Sequence, residues 1–212
     1  SSDNTSASGS VDSITIADFS LSGSSEAWTS DVSTVEGAIG EVLTYQLTVS
    51  IPEALNNESS SNDFIEITLP TDTSYMSGTA IIRADNIDAD LTGSSYLGGS
   101  SLPTSNTSIS PNVNGDVIGF DLGNVLNSDD DADVEQIVVI FDVLVKNTSN
   151  NNRTNVKSLA ADVHYNNFAS NPQSVSQSTN YTVVEADLSV VKTASPTSVT
   201  GGDTVTFTAT DG

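Results

Sequence analysis

The feature that most constrains this chain is an alternation of apolar and polar residues with a period of two. Leu43, Tyr45, Leu47, Val49 and Ile51 fall on one side of an extended backbone, while Thr44, Gln46, Thr48 and Ser50 fall on the other. Val205, Phe207 and Ala209 alternate in the same way with Thr204, Thr206, Thr208 and Thr210. Successive side chains of a strand point to opposite faces, so these segments suit sheets with one face on a core and one in water. A helix would scatter the same residues around its circumference. Weaker alternation predicts strands over 13–21, 63–69, 78–84, 116–122, 156–165, 175–184 and 187–192. Turn formers separate them, among them Pro52, Pro70, Gly98, Gly99, Pro103, Asn114, Gly115, Gly201 and Gly202. No segment carries a 3.6-residue period. The reading is all-β: an elaborated immunoglobulin-like antiparallel sandwich, followed by the first strands of a second sandwich repeat.

One segment departs from alternation. Val134-Glu-Gln-Ile-Val-Val-Ile-Phe-Asp-Val-Leu-Val-Lys146 is apolar in both phases for most of its length, which predicts a central strand covered on both faces. With 212 residues and 36% hydrophobic side chains, the chain has material for one large or two small cores. Residues 1–10 are polar and are expected to form a flexible tail. Residues 11–185 form the sandwich module, larger than a minimal immunoglobulin domain, with the excess in 84–113 and around Asp129. Residues 186–212 open a second, incomplete repeat. Glu185 and Ala186 join the two without a flexible linker, which implies repeats held in a fixed orientation.

Charge narrows the function classes. Five Lys and Arg stand against 28 Asp and Glu, a formal net charge of −23. Such a surface repels phosphate backbones and anionic lipid, and excludes nucleic-acid binding. It keeps a protein soluble in concentrated salt, where carboxylate repulsion is screened. There is no cysteine, hence no disulfide, no thiol nucleophile and no thiolate-bound zinc. No apolar run is long enough to cross a bilayer as a helix. The chain starts at Ser1 without Met and shows no leader, so a signal peptide has been removed or the start is internal.

Several motifs carry a family likeness. Ala186-Asp-Leu-Ser-Val-Val-Lys-Thr193, followed by Gly202-Asp-Thr-Val-Thr-Phe207, resembles the opening of the bacterial surface repeats known as the domain of unknown function 11. Those repeats and their fimbrial isopeptide-domain relatives open with Ala-Asp-Leu-Ser-Val-x-Lys-Thr and then Gly-Asp-Thr-Val-Thr-Tyr. Glu36 to Glu53 is similar to a variant of the second strand. Ile67-Thr-Leu-Pro70 with Tyr75-Met-Ser-Gly-Thr-Ala80 resembles the turn and strand that follow, and Asp121-Leu-Gly-Asn-Val125 with Ile137 to Asn147 resembles a later block. The likeness runs over residues 36 to 212 and rests on the order of the motifs. It implies a tandem array outside the cell, in an adhesin-like or filament protein longer than this chain.

The same resemblance assigns Lys192 to the position of a lysine that bonds to an asparagine on the last strand of its domain. That asparagine would lie beyond Gly212. In the first module Ser20 to Gly23 offers no lysine at the matching place, which argues against such a bond there. Lys146 and Lys157 are expected at strand ends, exposed.

Catalysis finds little support. The only histidine, His164, falls on the non-core phase of its predicted strand, and no Gly-x-Ser-x-Gly elbow is present. Calcium is the better chemical expectation. Asn127-Ser-Asp-Asp-Asp-Ala-Asp-Val-Glu135 gathers oxygen ligands, and Asp129, Asp131, Asp133 and Glu135 are the candidate set. The spacing is not that of an EF-hand, and a solvated acidic loop is the alternative. Asp85-Asn-Ile-Asp-Ala-Asp90 is a second acidic loop. Asn-x-Ser/Thr acceptors stand at Asn4, Asn57, Asn106, Asn147, Asn152 and Asn180.

The two-strand remnant needs a cover, because an isolated hairpin is marginal in water. The rest of its own domain supplies it, or a neighbouring copy does by strand addition, donating 11–21 or 187–210. The function expected is structural: an extracellular stalk, adhesin or self-assembling filament that is not an enzyme. The alternative is a ligand- or carbohydrate-binding module, with Trp28 and Tyr96 as the aromatic candidates.

Overall fold

The computed structural model of the chain describes residues 13–25, 35–52, 64–85, 91–93, 101–127, 134–166, 172–184, 190–195, 198 and 200–211. No helix occurs among them, and they build two six-stranded sheets that share one core, beside two two-stranded ones.

The first sheet runs in the order β1 (Thr15–Ser24), β3 (Val42–Ile51), β12 (Glu135–Val145), β6 (Ile81–Asp85) and β8 (Thr107–Ser108). β5 (Thr73–Tyr75) takes the free length of β12 beyond β6. The second sheet runs β2 (Glu36–Ala38), β14 (Pro172–Val184), β13 (Val156–Asn166), β4 (Ile65–Thr68), β10 (Val117–Phe120) and β9 (Asn112–Asn114). All pairings are antiparallel except β2 on β14. A small ladder joins β7 (Leu91–Gly93) to β11 (Val125–Asn127), and β15 (Val190–Ser195) pairs with β16 (Thr206–Asp211).

The period-two alternation becomes the core. On β3 and β12 the pairs Leu43 with Val143, Tyr45 with Phe141, Leu47 with Val139 and Val49 with Ile137 are fully buried. Ile65, Ile67, Ile118, Phe120, Leu159, Ala161, Val163, Tyr181 and Val183 face them from the second sheet as part of the same cluster. Tyr45 stacks on Phe141 at 6.0 Å between ring centres and tilts against Phe19 at 6.1 Å. Each large apolar side chain taken out of water contributes roughly 1.5–3 kcal/mol. The central strands therefore hold the sandwich together.

The long strands lie where the sequence places them. The three-residue strands β2, β5, β7, β9 and β11 do not show in the alternation, since three residues complete barely one period. The expectation that 134–146 is covered on both faces needs correction. β12 is central in its sheet, but Gln136, Ile140, Asp142 and Leu144 on its outer side are only half-buried, and Val138 alone is buried there. Its apolar character fills one face and shields the flanks of the other.

Candidate functional site

Of the expected calcium ligands, Asp129, Asp131 and Asp133 lie outside the described residues. Glu135 opens β12 and is 1% exposed. Its Oε2 accepts a hydrogen bond from Asn127 Nδ2 at 2.5 Å, and the same amide donates to the Pro52 carbonyl at 3.2 Å. Asn127 thus ties the end of β11 to the end of β3 and the start of β12. Glu135 Oε1 is buried without a protein partner. Trp28 and Tyr96 also lie outside the described residues, as do 86–90 of the second acidic loop. Lys192 sits in β15, paired through its backbone with Ala209.

Lys157 overturns its expected exposure. Its side chain is 12% exposed and its Nζ lies 2.6 Å from Asp72 Oδ2 and 2.9 Å from the Asn150 carbonyl. The cause is phase: Lys157 pairs with Tyr181 and shares the inward side of β13 with Leu159. Asp72 is a hub in the turn before β5. Its Oδ1 accepts from Thr148 Oγ1 at 2.8 Å, and its carbonyl accepts from Lys146 N at 2.9 Å and from buried Asn151 Nδ2 at 2.9 Å. Hydrogen bonds from Lys157 first and Thr148 second hold the Asp72 carboxyl below the usual carboxylate range, against the opposing effect of burial. This cluster locks the loop after β12 to the turn before β5 and clamps the two sheets at one end.

A second buried polar group stands at the β2–β3 turn. Glu41 is 3% exposed, and its carboxylate accepts from Ala38 N at 2.6 Å and from Ser24 Oγ. Gly40 adopts φ +89° there, a conformation that side-chain-bearing residues resist. The Tyr45 and Tyr181 hydroxyls are buried without partners, and burial pushes both phenols well above their ordinary pKa. Gly37 makes room for this packing: a Cβ there would meet Tyr181 Cδ2 at 2.9 Å and Leu43 Cδ1 at 3.0 Å.

The outer face of the second sheet is polar. Asp162 lies directly opposite Glu66, Ser176 Oγ donates to Asp162 Oδ1, and His164 Nε2 is 3.2 Å from Glu66 Oε2. His164 therefore occupies the outward phase its sequence position predicts. Its side-chain partner among the described residues is a carboxylate, and no serine hydroxyl is placed on it. The described glycan-acceptor asparagines Asn106, Asn147, Asn152 and Asn180 are exposed.

β14 is paired unequally on its two sides among the described residues. β14 pairs with β13 in unbroken register from Pro172 to Thr182, whereas among the described residues β2 pairs with its other side only at Thr182–Val184, with β1 lying close to β14. Sequence reading finds the strand through its alternation and misses this unequal pairing, since alternation reports faces and not neighbours.

An aspartate-to-alanine variant of BcpA, the major pilin subunit of Bacillus cereus, matches 85% of this chain with TM-score 0.50 at 10% identity. The fold is pilin-like. The pilus backbone RrgB of Streptococcus pneumoniae matches 73% of the chain at 14% identity and TM-score 0.42. ACE19, the collagen-binding subdomain of the Enterococcus faecalis surface protein ACE, matches 69% at 8% identity and TM-score 0.37, and the match takes in 93% of that subdomain. The chain spans 42% of the BcpA variant and 32% of RrgB. No family model matches the chain, and a search of curated proteins finds no relative. No helix among the described residues is long and apolar enough to cross a membrane.

Proposed function

We propose that this chain is a structural part of an extracellular surface filament, stalk or adhesin of the surface-repeat type suggested by its motifs, with no catalysis of its own. The observation that carries the reading is the pilin-like sandwich, which accounts for most of the chain. Its design suits a load-bearing unit. The centre is apolar, and one end is clamped by Lys157 and Asp72. The surface is kept soluble by an excess of carboxylates. Its partners are neighbouring repeats or copies of itself.

Calcium in the acidic loop belongs to the same proposal, with Asp129, Asp131 and Asp133 as ligands and Glu135 at the loop's base. A melting temperature that rises on adding calcium and falls on chelation supports it; identical melting in both conditions removes it. Lys192 as one half of a covalent cross-link is tested by mass spectrometry of peptides from the native protein.

The functional reading itself is tested by immunogold labelling of producing cells with antibody raised against the sandwich. Gold on the cell surface, or along filaments leaving it, is the expected result. Gold confined to the cell interior overturns the proposal.

A further inference from the structure

We infer that Asn114 is a site of spontaneous modification. Its side-chain amide closes onto the backbone nitrogen of Gly115, loses ammonia and hydrolyses to aspartate and isoaspartate, so the rim of the second sheet ages chemically while the core stays as it is.

The sequence singles out the position. Asn114 is the one asparagine of the chain that a glycine follows. Ring closure brings the nitrogen of the next residue against the side-chain carbonyl carbon, and a side chain on that next residue stands in the way. Glycine has none. Asn147 and Asn180 are also exposed, but Thr148 and Tyr181 follow them, and Tyr181 is buried in the core.

The fold leaves both reacting groups accessible. Asn114 ends β9 and pairs with Val117, so Gly115 and Asp116 make a two-residue turn into β10. Gly115 turns the chain there at φ +62°, a conformation that favours glycine, so the residue the turn requires is also the one that leaves the nitrogen unshielded. All three residues of β9 are exposed, and Gly115 is exposed beside them. The Asn114 side chain and the Gly115 nitrogen have no hydrogen-bond partner among the described residues. By contrast, the side-chain amides of Asn127, Asn151, Asn152 and Asn155 donate to carbonyls that hold them in place.

The extended backbone of Asn114 must swivel before the ring can close. β9 is short and stands last in its sheet, so lifting it breaks few contacts and costs little. β10 stays paired with β4 meanwhile, and Leu69 N keeps its bond to the Asp116 carbonyl at 2.8 Å.

The chemistry balances without an oxidant or a cofactor. The Gly115 nitrogen gives up its proton to solvent base and bonds to Asn114 Cγ, the Cγ–Nδ2 bond breaks, and ammonia leaves. Lysine amines are scarce, with five Lys and Arg in the whole chain, so water opens the five-membered ring. Attack at the side-chain carbonyl gives aspartate. Attack at the main-chain carbonyl gives isoaspartate, which carries the backbone through an extra methylene. Either product adds a carboxylate next to Asp116, on a chain already at −23. Isoaspartate also shifts β9 out of register with β10, whose Ile118 and Phe120 remain in the core. The inference rests on the turn and not on the filament reading.

The test is prolonged incubation of the full chain at neutral and at mildly alkaline pH, folded and in urea, with Asn114→Gln beside the unmodified protein. Intact mass reads the exchange of amide for acid, and peptide fragmentation separates isoaspartate from aspartate. In the folded chain Asn114 should convert ahead of every other described asparagine, and faster at the higher pH. Asn114→Gln should lose that first mass gain with unchanged circular dichroism, because a glutamine would have to close a less favourable six-membered ring. Conversion in urea but not in the folded chain overturns the inference by showing that the turn protects Asn114. An unchanged mass in every condition overturns it too, as does an equal first mass gain in Asn114→Gln. All of these outcomes leave the surface-filament reading intact.

Discussion

β12 and β14 are both long strands in the same sandwich, and they serve opposite ends. β12 has neighbours on both sides along its length and points Ile137, Val139, Phe141, Val143 and Val145 into the core with no exposure. β14 offers the core Tyr181 and Val183 near one end. Over the rest of its length it carries mostly Gln, Ser, Thr and Asn, with Val175 packed against the core, and among the described residues its second side is paired only at Thr182–Val184. The first strand makes the fold stable. The second contributes less to the apolar centre.

Substitutions on the two strands should separate these roles. Phe141→Ala removes an aromatic ring stacked on Tyr45 at the centre, and should cost about 3–5 kcal/mol in denaturant unfolding. A loss under 1 kcal/mol would mean that the centre of β12 is not packed as described.

Lys157→Met tests the clamp and should cost about 3 kcal/mol, the low end for breaking a buried pair, because both partners keep some contact with water. The acid response shows the same contact. Asp72 has a depressed pKa in the folded state, so its contribution is fully present above the carboxylate's unfolded value near 4. It is lost as pH falls through the lower folded value. The Lys157→Met variant should therefore lose less stability than the unmodified chain on going from pH 5 to pH 2, and equal losses would contradict the assignment.

Gly37→Ala pushes a methyl against Tyr181 and Leu43 and should cost about 1–3 kcal/mol. A neutral result would show that the β2–β3 turn yields more easily than the close packing indicates. Ser178→Glu on β14 should change stability by no more than about 0.5 kcal/mol, since the side chain is exposed. A large loss would place that part of β14 in the folding core and erase the contrast between the strands.

The contrast also marks how far the sequence can be read. Alternation at Leu43 to Ile51 reports which side chains are buried, because burial follows the phase of a single strand. It also places His164 outward. It is silent about β2, which is three residues long, and about what lies on the second side of β14, which depends on where a segment distant in sequence comes to rest. Lys157 was misread for a related reason. A lysine in an inward phase looks out of place until Asp72, far away in sequence, supplies the opposite charge. Glu135 reads as one more carboxylate of an acidic loop, and only the fold sets it against Asn127 and the carbonyl of Pro52.

The most direct test is residue-resolved amide exchange on the full chain. The account predicts that β12 amides exchange only with global unfolding. Along β14, the amides away from the Tyr181 and Val183 end should exchange sooner. Equal protection of the two strands along their whole length would contradict it, by showing that β14 belongs to the stable centre as fully as β12.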